Sequence, residues 1–219
     1  MNKIGIYKHH PFCSEDSALG VSLAIDNFYQ GRYFDESDIT PEFIKQFDLI
    51  VFPGGIGDSD KFKDLFHWRK ASIVNDYVQS GGKYLGICMG AYWAGSHYFD
   101  ILRGIDTVQY IKRPGADITR SYGTVAEIEW LGNKKEMYFY DGCAIVGSGN
   151  YDTIAKYKND DPMAVIQGNV GLIGCHPESS KYWYDTWSYM PAKWHNKEHY
   201  YLLRDFIRRM MGYYDASNI

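Results

Sequence analysis

The residues best suited to do chemistry lie in Lys83-Tyr84-Leu85-Gly86-Ile87-Cys88-Met89-Gly90-Ala91-Tyr92, where an apolar run stops at a cysteine with glycines two positions before and two after. Gly-x-Cys-x-Gly is the thiol form of the nucleophile elbow, a strained strand-to-helix turn that leaves no room for side chains beside the nucleophile. A cysteine at a helix N-terminus gains there, because unpaired backbone N–H groups and the helix dipole favour the thiolate, its reactive form. The same pentapeptide also suits a buried cysteine beside two turn glycines, and a second signal is needed to separate the two.

That signal is Gly171-Leu172-Ile173-Gly174-Cys175-His176-Pro177-Glu178, a second apolar run that ends in a histidine and a carboxylate. Pro177 keeps His176 out of helical geometry, so an extended segment is expected, with His176 and Glu178 on one side and Cys175 turned into the core. A nucleophile needs a base within hydrogen-bond reach and a third group that orients the base. Cys88, His176 and Glu178 supply those three types.

The elements that must position them follow the pattern of an open parallel sheet. Lys3 to Tyr7 reads as a strand, and the loop after it, with His9, His10, Cys13 and Glu15, should border the site because ligands bind beyond the carboxyl ends of such strands. Ser14 is expected to cap a helix running from about Asp16 to Tyr29 and ended by Gly31, with Glu15 and Asp16 complementing its dipole. Arg32 to Phe34 is a weak strand, and Thr40-Pro41 starts a short helix. Asp48 to Phe52 is unbroken and apolar, as a strand covered on both faces must be, and it ends at Pro53-Gly54-Gly55. Backbone N–H groups of Gly54 or Gly55, with that of Met89, form an expected oxyanion hole.

A helix is expected over Trp68 to Gln79, closed by Ser80-Gly81-Gly82, and another from Met89 to about Phe99 after the elbow. From Ile101 to Gly149 short alternating stretches separated by Gly132-Asn133 and Asp141-Gly142 read as an antiparallel excursion. Further strands are expected over Tyr151 to Tyr157 and Met163 to Gln167. The aromatic tail, Tyr182 to Trp194, either walls the pocket or packs a final helix, about Glu198 to Met211, onto the sheet.

Composition narrows the class. With 219 residues, 45% hydrophobic and 23% charged, the chain fits one soluble α/β domain spanning 1–219. A net charge of −4 disfavours nucleic acid, no apolar run approaches the roughly 18 residues of a membrane span, and the first residues are too short and polar for a signal peptide. Four cysteines without paired spacing suit a reducing compartment, which makes a cytoplasmic address the expectation. His9-His10 with Cys13 is a thin basis for a metal site, so neither metal nor cofactor is expected. The expected partner is a small-molecule or peptide-like substrate; a partner enzyme and oligomeric state are not legible.

Pro53-Gly54-Gly55, Gly86-Ile87-Cys88-Met89-Gly90, Tyr140-Asp141-Gly142 and His176-Pro177-Glu178 together resemble the class I glutamine amidotransferase-like superfamily. Within it, the chain is most similar to the amidotransferase-like domain at the N-terminus of eukaryotic biotin-protein ligases and to stand-alone microbial relatives. The resemblance implies a doubly wound, mostly parallel, flavodoxin-like sheet flanked by helices, and a Cys88-His176-Glu178 triad acting on an amide-like carbonyl. Glutaminases of this class carry a glutamine four residues after the nucleophile, where it helps to hold substrate; this chain has Tyr92. The departure puts free glutamine in doubt as the substrate and motivates the alternative, a non-catalytic binding or regulatory domain.

Overall fold

Leu49-Ile50-Val51-Phe52 sends alternate side chains to two covered faces, as a pleated strand must. Leu49 and Val51 join a core with Ile4, Ile6, Leu85 and Ile87, whereas Ile50 and Phe52 join one with Tyr7 and Tyr84. The structure, a computed structural model, describes residues 1–9, 14–55 and 57–213. Its first half alternates β1 (Lys3–Tyr7), α1 (Glu15–Ile25), β2 (Gln30–Phe34), α2 (Pro41–Ile44) and β3 (Leu49–Phe52). α3 (Phe62–Leu65), α4 (Trp68–Gln79), β4 (Lys83–Ile87) and α5 (Met89–Trp93) follow. The second half holds β5 (Ile105–Gln109), β6 (Thr124–Trp130), β7 (Asn133–Phe139), β8 (Cys143–Gly147), β9 (Asp152–Tyr157), β10 (Pro162–Gln167), β11 (Val170–Ile173) and α6 (Glu198–Met210).

Among the described residues nine strands form one sheet in the order β2-β1-β3-β4-β11-β10-β9-β6-β7. The first five are mutually parallel, and the rest are antiparallel. This is the doubly wound α/β class expected from the sequence. α1 and α6 cover one face through Ala18, Val21, Leu203 and Phe206. α4 covers the other through Val74, Tyr77 and Val78, each such burial stabilising the fold by about 1.5–3 kcal/mol. None of the described helices is long and apolar enough to cross a membrane.

Three local expectations are corrected. α1 stops at Ile25 rather than Tyr29, because Asn27 takes a left-handed φ of 65° and Gly31 lies inside β2. α5 stops at Trp93 rather than Phe99. The chain folds back there, with the Phe99 N–H donating to the Trp93 carbonyl at 2.9 Å, and this places the Phe99 ring against Phe62 at 4.8 Å and Phe52 at 5.0 Å. Burying that large ring outweighs two more turns of exposed helix. The antiparallel excursion is not one unit: β6 extends the main sheet by pairing with β9 and β7 follows at the edge by pairing with β6, while β5 and β8 form a separate two-stranded sheet.

Candidate active site

β4 lies between β3 and β11 in the middle of the parallel half, and Ile87 is in register with Ile173. The loops that follow β3, β4 and β11 therefore emerge side by side at the carboxyl edge. Cys88 sits at that edge with φ 50° and ψ −103°, a conformation that costs a non-glycine residue about 1–3 kcal/mol and persists only where its surroundings impose it. They do so by close approach. A Cβ on Gly90 would lie 1.9 Å from the Phe52 carbonyl oxygen, and one on Gly86 would lie 2.4 Å from that of Gly90. Both glycines are thus required for α5 to press onto β3 and β4 and fix the elbow.

His176 and Glu178 meet at 2.8 Å, Nδ1 to Oε1, with His176 5% exposed and Glu178 fully buried. The expected extended segment is not what joins them. β11 ends at Ile173, and Pro177 and Glu178 are the central residues of a turn closed by the Ser179 N–H donating to the His176 carbonyl at 3.2 Å. Burial opposes charge on the imidazole, but the Glu178 carboxylate, and after it the Cys88 sulphur, more than offset this and raise His176 to about 10. The pocket thus favours a protonated imidazole near neutral pH. The charge of Cys88 is among those that bear on that ring. Cys175 is fully buried, its Sγ 3.7 Å from the Tyr157 hydroxyl.

Sequence reasoning missed Ser17. Its Oγ–H donates to Glu178 Oε1 at 2.6 Å, and its Oγ accepts from the Gly54 N–H at 2.8 Å. Gly54 is thereby removed from the expected oxyanion hole, since its donor is already engaged. Gly55 and Met89 line the same cleft as Cys88, and the Met89 N–H, in the first turn of α5, has no intrahelical acceptor. Gly54 matters for space instead: a Cβ there would stand 2.7 Å from His176 Cε1 and 3.2 Å from Ser17 Oγ. Gly54→Ala is expected to displace the imidazole and slow alkylation of Cys88 about tenfold to a hundredfold, since small misplacements are costly. Peptide mapping after brief iodoacetamide exposure checks this, and a rate equal to wild type contradicts it.

The cleft in front of Cys88 has a volume of ≈ 740 Å³ and is walled by Gly55, Met89, Tyr92, Gln109, Tyr140 and Asp141, among others. Tyr92 faces it as the helical spacing requires, but its hydroxyl donates to the Asp141 carbonyl at 3.1 Å. The Cys88 Sγ–H donates to the Tyr140 carbonyl at 3.4 Å. The segment after β7 therefore lies over the thiol, which is 8% exposed. Nothing local in the sequence marks this, because the contacts span about fifty residues.

The aromatic tail packs around Tyr138 and His176. Trp183 sets its ring edge-on to His176 at 5.4 Å, and Tyr184 and Met190 are fully buried beside Tyr138. Ser14 caps α1 by accepting from the Ser17 N–H, and Glu15 pairs with Lys8 at 3.8 Å. Cys13 and His10 lie outside the described residues. Among the described residues no cluster of three or more His, Cys, Asp or Glu side chains could hold a metal ion.

A family model described as the N-terminal region of biotin-protein ligase matches residues 22–102, a stretch that holds Gly54, Gly55 and Cys88 but stops short of His176. The biotin-protein ligase of Schizosaccharomyces pombe is 27% identical over 187 residues, covering 69% of this chain and 29% of the ligase. The chain therefore spans less than a third of that relative's length. A glutamine amidotransferase from Thermotoga maritima superposes with a TM-score of 0.69 at 14% identity, covering 95% of this chain and 97% of its own. A β-galactosidase from Marinomonas ef1 also superposes, with a TM-score of 0.52 at 10% identity over 80% of this chain and 26% of its own. At such identities these likenesses establish a shared glutamine amidotransferase-like fold, which is compatible with more than one chemistry.

Proposed function

We propose that this chain, with its glutamine amidotransferase-like fold and its sequence likeness to the N-terminal region of biotin-protein ligases, is a thiol-dependent hydrolase or acyl or amido transferase. It acts on an amide-like carbonyl other than free glutamine. The observation that carries the reading is the buried 2.8 Å contact between His176 and Glu178 beside a cysteine at a positive φ. Cys88 Sγ attacks the carbonyl carbon with its proton already held by His176, and the Gly55 and Met89 N–H groups take the oxyanion. As the C–N bond breaks, His176 returns the proton to the departing nitrogen and a thioester remains. Water, or an acceptor amine, then attacks the thioester carbon and gives a proton to His176, which delivers it to sulphur as the C–S bond breaks. Glu178 keeps Nδ1 protonated and the ring in line. Cys88, Cys143 and Cys175 are free, which supports a reducing, cytoplasmic setting.

The substrate enters past Tyr92, whose phenol cannot present the paired donor and acceptor of an amide side chain. Wild-type protein is expected to release negligible ammonia from glutamine, and Tyr92→Gln to raise that rate measurably. Losing a buried hydrogen-bond partner typically weakens binding by on the order of 1–3 kcal/mol. A coupled ammonia assay decides it: ordinary glutaminase turnover by the wild type contradicts the proposed substrate class. The wider reading is tested by intact-mass spectrometry after incubation with small amides, γ-glutamyl compounds and activated esters, with an adduct on Cys88 expected. One observation favours a second reading, a binding or regulatory domain without turnover. The Tyr140 carbonyl and the Tyr92–Asp141 hydrogen bond close over the thiol. Absence of an adduct with every probe supports that reading.

A further inference from the structure

The carboxylate behind His176 is held from the far end of the chain. Ser17 and Glu178 are 161 positions apart in sequence, yet both are fully buried and their side chains meet at 2.6 Å. The same hydroxyl oxygen receives the Gly54 N–H at 2.8 Å, so a line of hydrogen bonds runs from the loop after β3, through Ser17, to Glu178 Oε1 and on to His176 Nδ1. Both side-chain partners of Glu178 use Oε1, while Oε2 is buried with no hydrogen-bond partner among the described residues. A buried carboxylate with one bare oxygen depends strongly on the donors it has. The approach of α1 is tight as well: a Cβ on Gly20, one turn beyond Ser17, would lie 2.1 Å from the Glu178 carbonyl oxygen. α1 is therefore pressed against the turn that carries the acid, and Ser17 is the hydroxyl this approach delivers.

We propose that Ser17 is a positioning residue of the Cys88 site, which orients the Glu178 carboxylate toward His176 and ties it to the Gly54–Gly55 loop beside the oxyanion position. The inference rests on the thiol-based reading above and deepens it. Ser17 touches neither substrate nor thiol; it acts through Glu178. Its hydroxyl holds Oε1 against Nδ1–H. Without it, the carboxylate is free to turn away, the imidazolium loses part of its counter-charge, and the proton leaves Cys88 for His176 less readily. Activation of the thiol should then need a higher pH.

The test is the pH dependence of Cys88 alkylation by iodoacetamide in the full chain, compared among wild type, Ser17→Ala, Glu178→Gln, the double variant and His176→Ala. Ser17→Ala is expected to slow alkylation at pH 7 about tenfold and to move the midpoint of the pH–rate profile up by about one unit. In the Glu178→Gln background the same change should have little further effect, because a residue that acts through Glu178 has nothing left to act on. A merely structural serine would lower the melting temperature without moving the profile. If Ser17→Ala leaves the profile superimposed on wild type, or if its effect simply adds to that of Glu178→Gln, the positioning assignment is overturned. His176→Ala separates the two levels: a changed profile there with an unchanged one in Ser17→Ala rejects Ser17 alone, whereas an unchanged profile in both rejects the thiol-based reading itself.

Discussion

His176→Ala is expected to slow alkylation of Cys88 at pH 7 by on the order of a hundredfold, the lower end of what a positioned acid–base group contributes. The reasons are geometric. Cys88 is pinned at the elbow by Gly86 and Gly90, so removing the imidazole should leave the sulphur in place without the proposed proton acceptor. Glu178→Gln should have a smaller effect, since the amide can still accept from Nδ1–H but no longer supplies counter-charge. Cys143 and Cys175 serve as internal controls. Both are fully buried, and burial pushes both thiols well up, so they should remain unlabelled throughout. Quantitative peptide mapping over short exposures is the measurement. An alkylation rate and pH profile unchanged in His176→Ala would make the histidine a core residue and would remove Cys88 from consideration as an activated thiol.

The second large effect expected is acid destabilisation centred on His195 and His199. Their rings stack at 4.1 Å with an interplanar angle of 21°, and both residues are buried. His195 Nδ1 accepts from the His199 N–H at 3.3 Å, and its Nε2 lies 3.2 Å from the Ser179 carbonyl. Burial lowers His195 to about 4, opposed by the Ser179 carbonyl and by Glu178 and Glu198. Burial, then the neighbouring His195 and Lys135, lower His199 to about 3. The unfolded chain titrates these histidines near pH 6.5. Between that pH and the folded values the unfolded chain binds protons that the folded chain does not, so stability falls as pH falls. The contribution is complete above about pH 6.5 and lost progressively toward pH 3, amounting to several kcal/mol for the pair. Denaturant unfolding at pH 7.5, 6 and 5 should show the decline. His199→Leu, at a position whose Nδ1 has no hydrogen-bond partner among the described residues, should make the acid limb shallower. Equal stability at pH 7.5 and 5, or an acid limb unaltered in His199→Leu, contradicts the assignment.

His176 has the opposite sign. Its folded value of about 10 lies above that of the unfolded chain, so its contribution is complete below about pH 6.5 and is lost as pH rises through the folded value. The two limbs together place greatest stability near neutrality. Acid titration also reaches the candidate site indirectly, because His195 contacts Ser179, the residue after Glu178.

What the sequence determined by itself was what depends on near neighbours. The Leu49–Phe52 run, the Thr40-Pro41 helix start, the Trp68–Gln79 helix and the turn around Cys88 are each dictated by residues within a few positions. Strand-end logic then brought Cys88, Gly54, Gly55 and His176 to one edge, because parallel neighbours must deliver their loops together. Tertiary structure decided everything set by packing between distant segments. It closed α5 early to bury Phe99, joined His176 to Glu178 through a turn rather than an extended strand, and assigned the Gly54 N–H to Ser17. It also laid Tyr140 and Asp141 over the thiol. A serine in a capped first turn carries no local mark of a buried carboxylate 161 positions away. That contact exists because α1 can approach the Glu178 turn only where Gly20 has no side chain, a matter of shape in three dimensions that no periodicity or motif encodes.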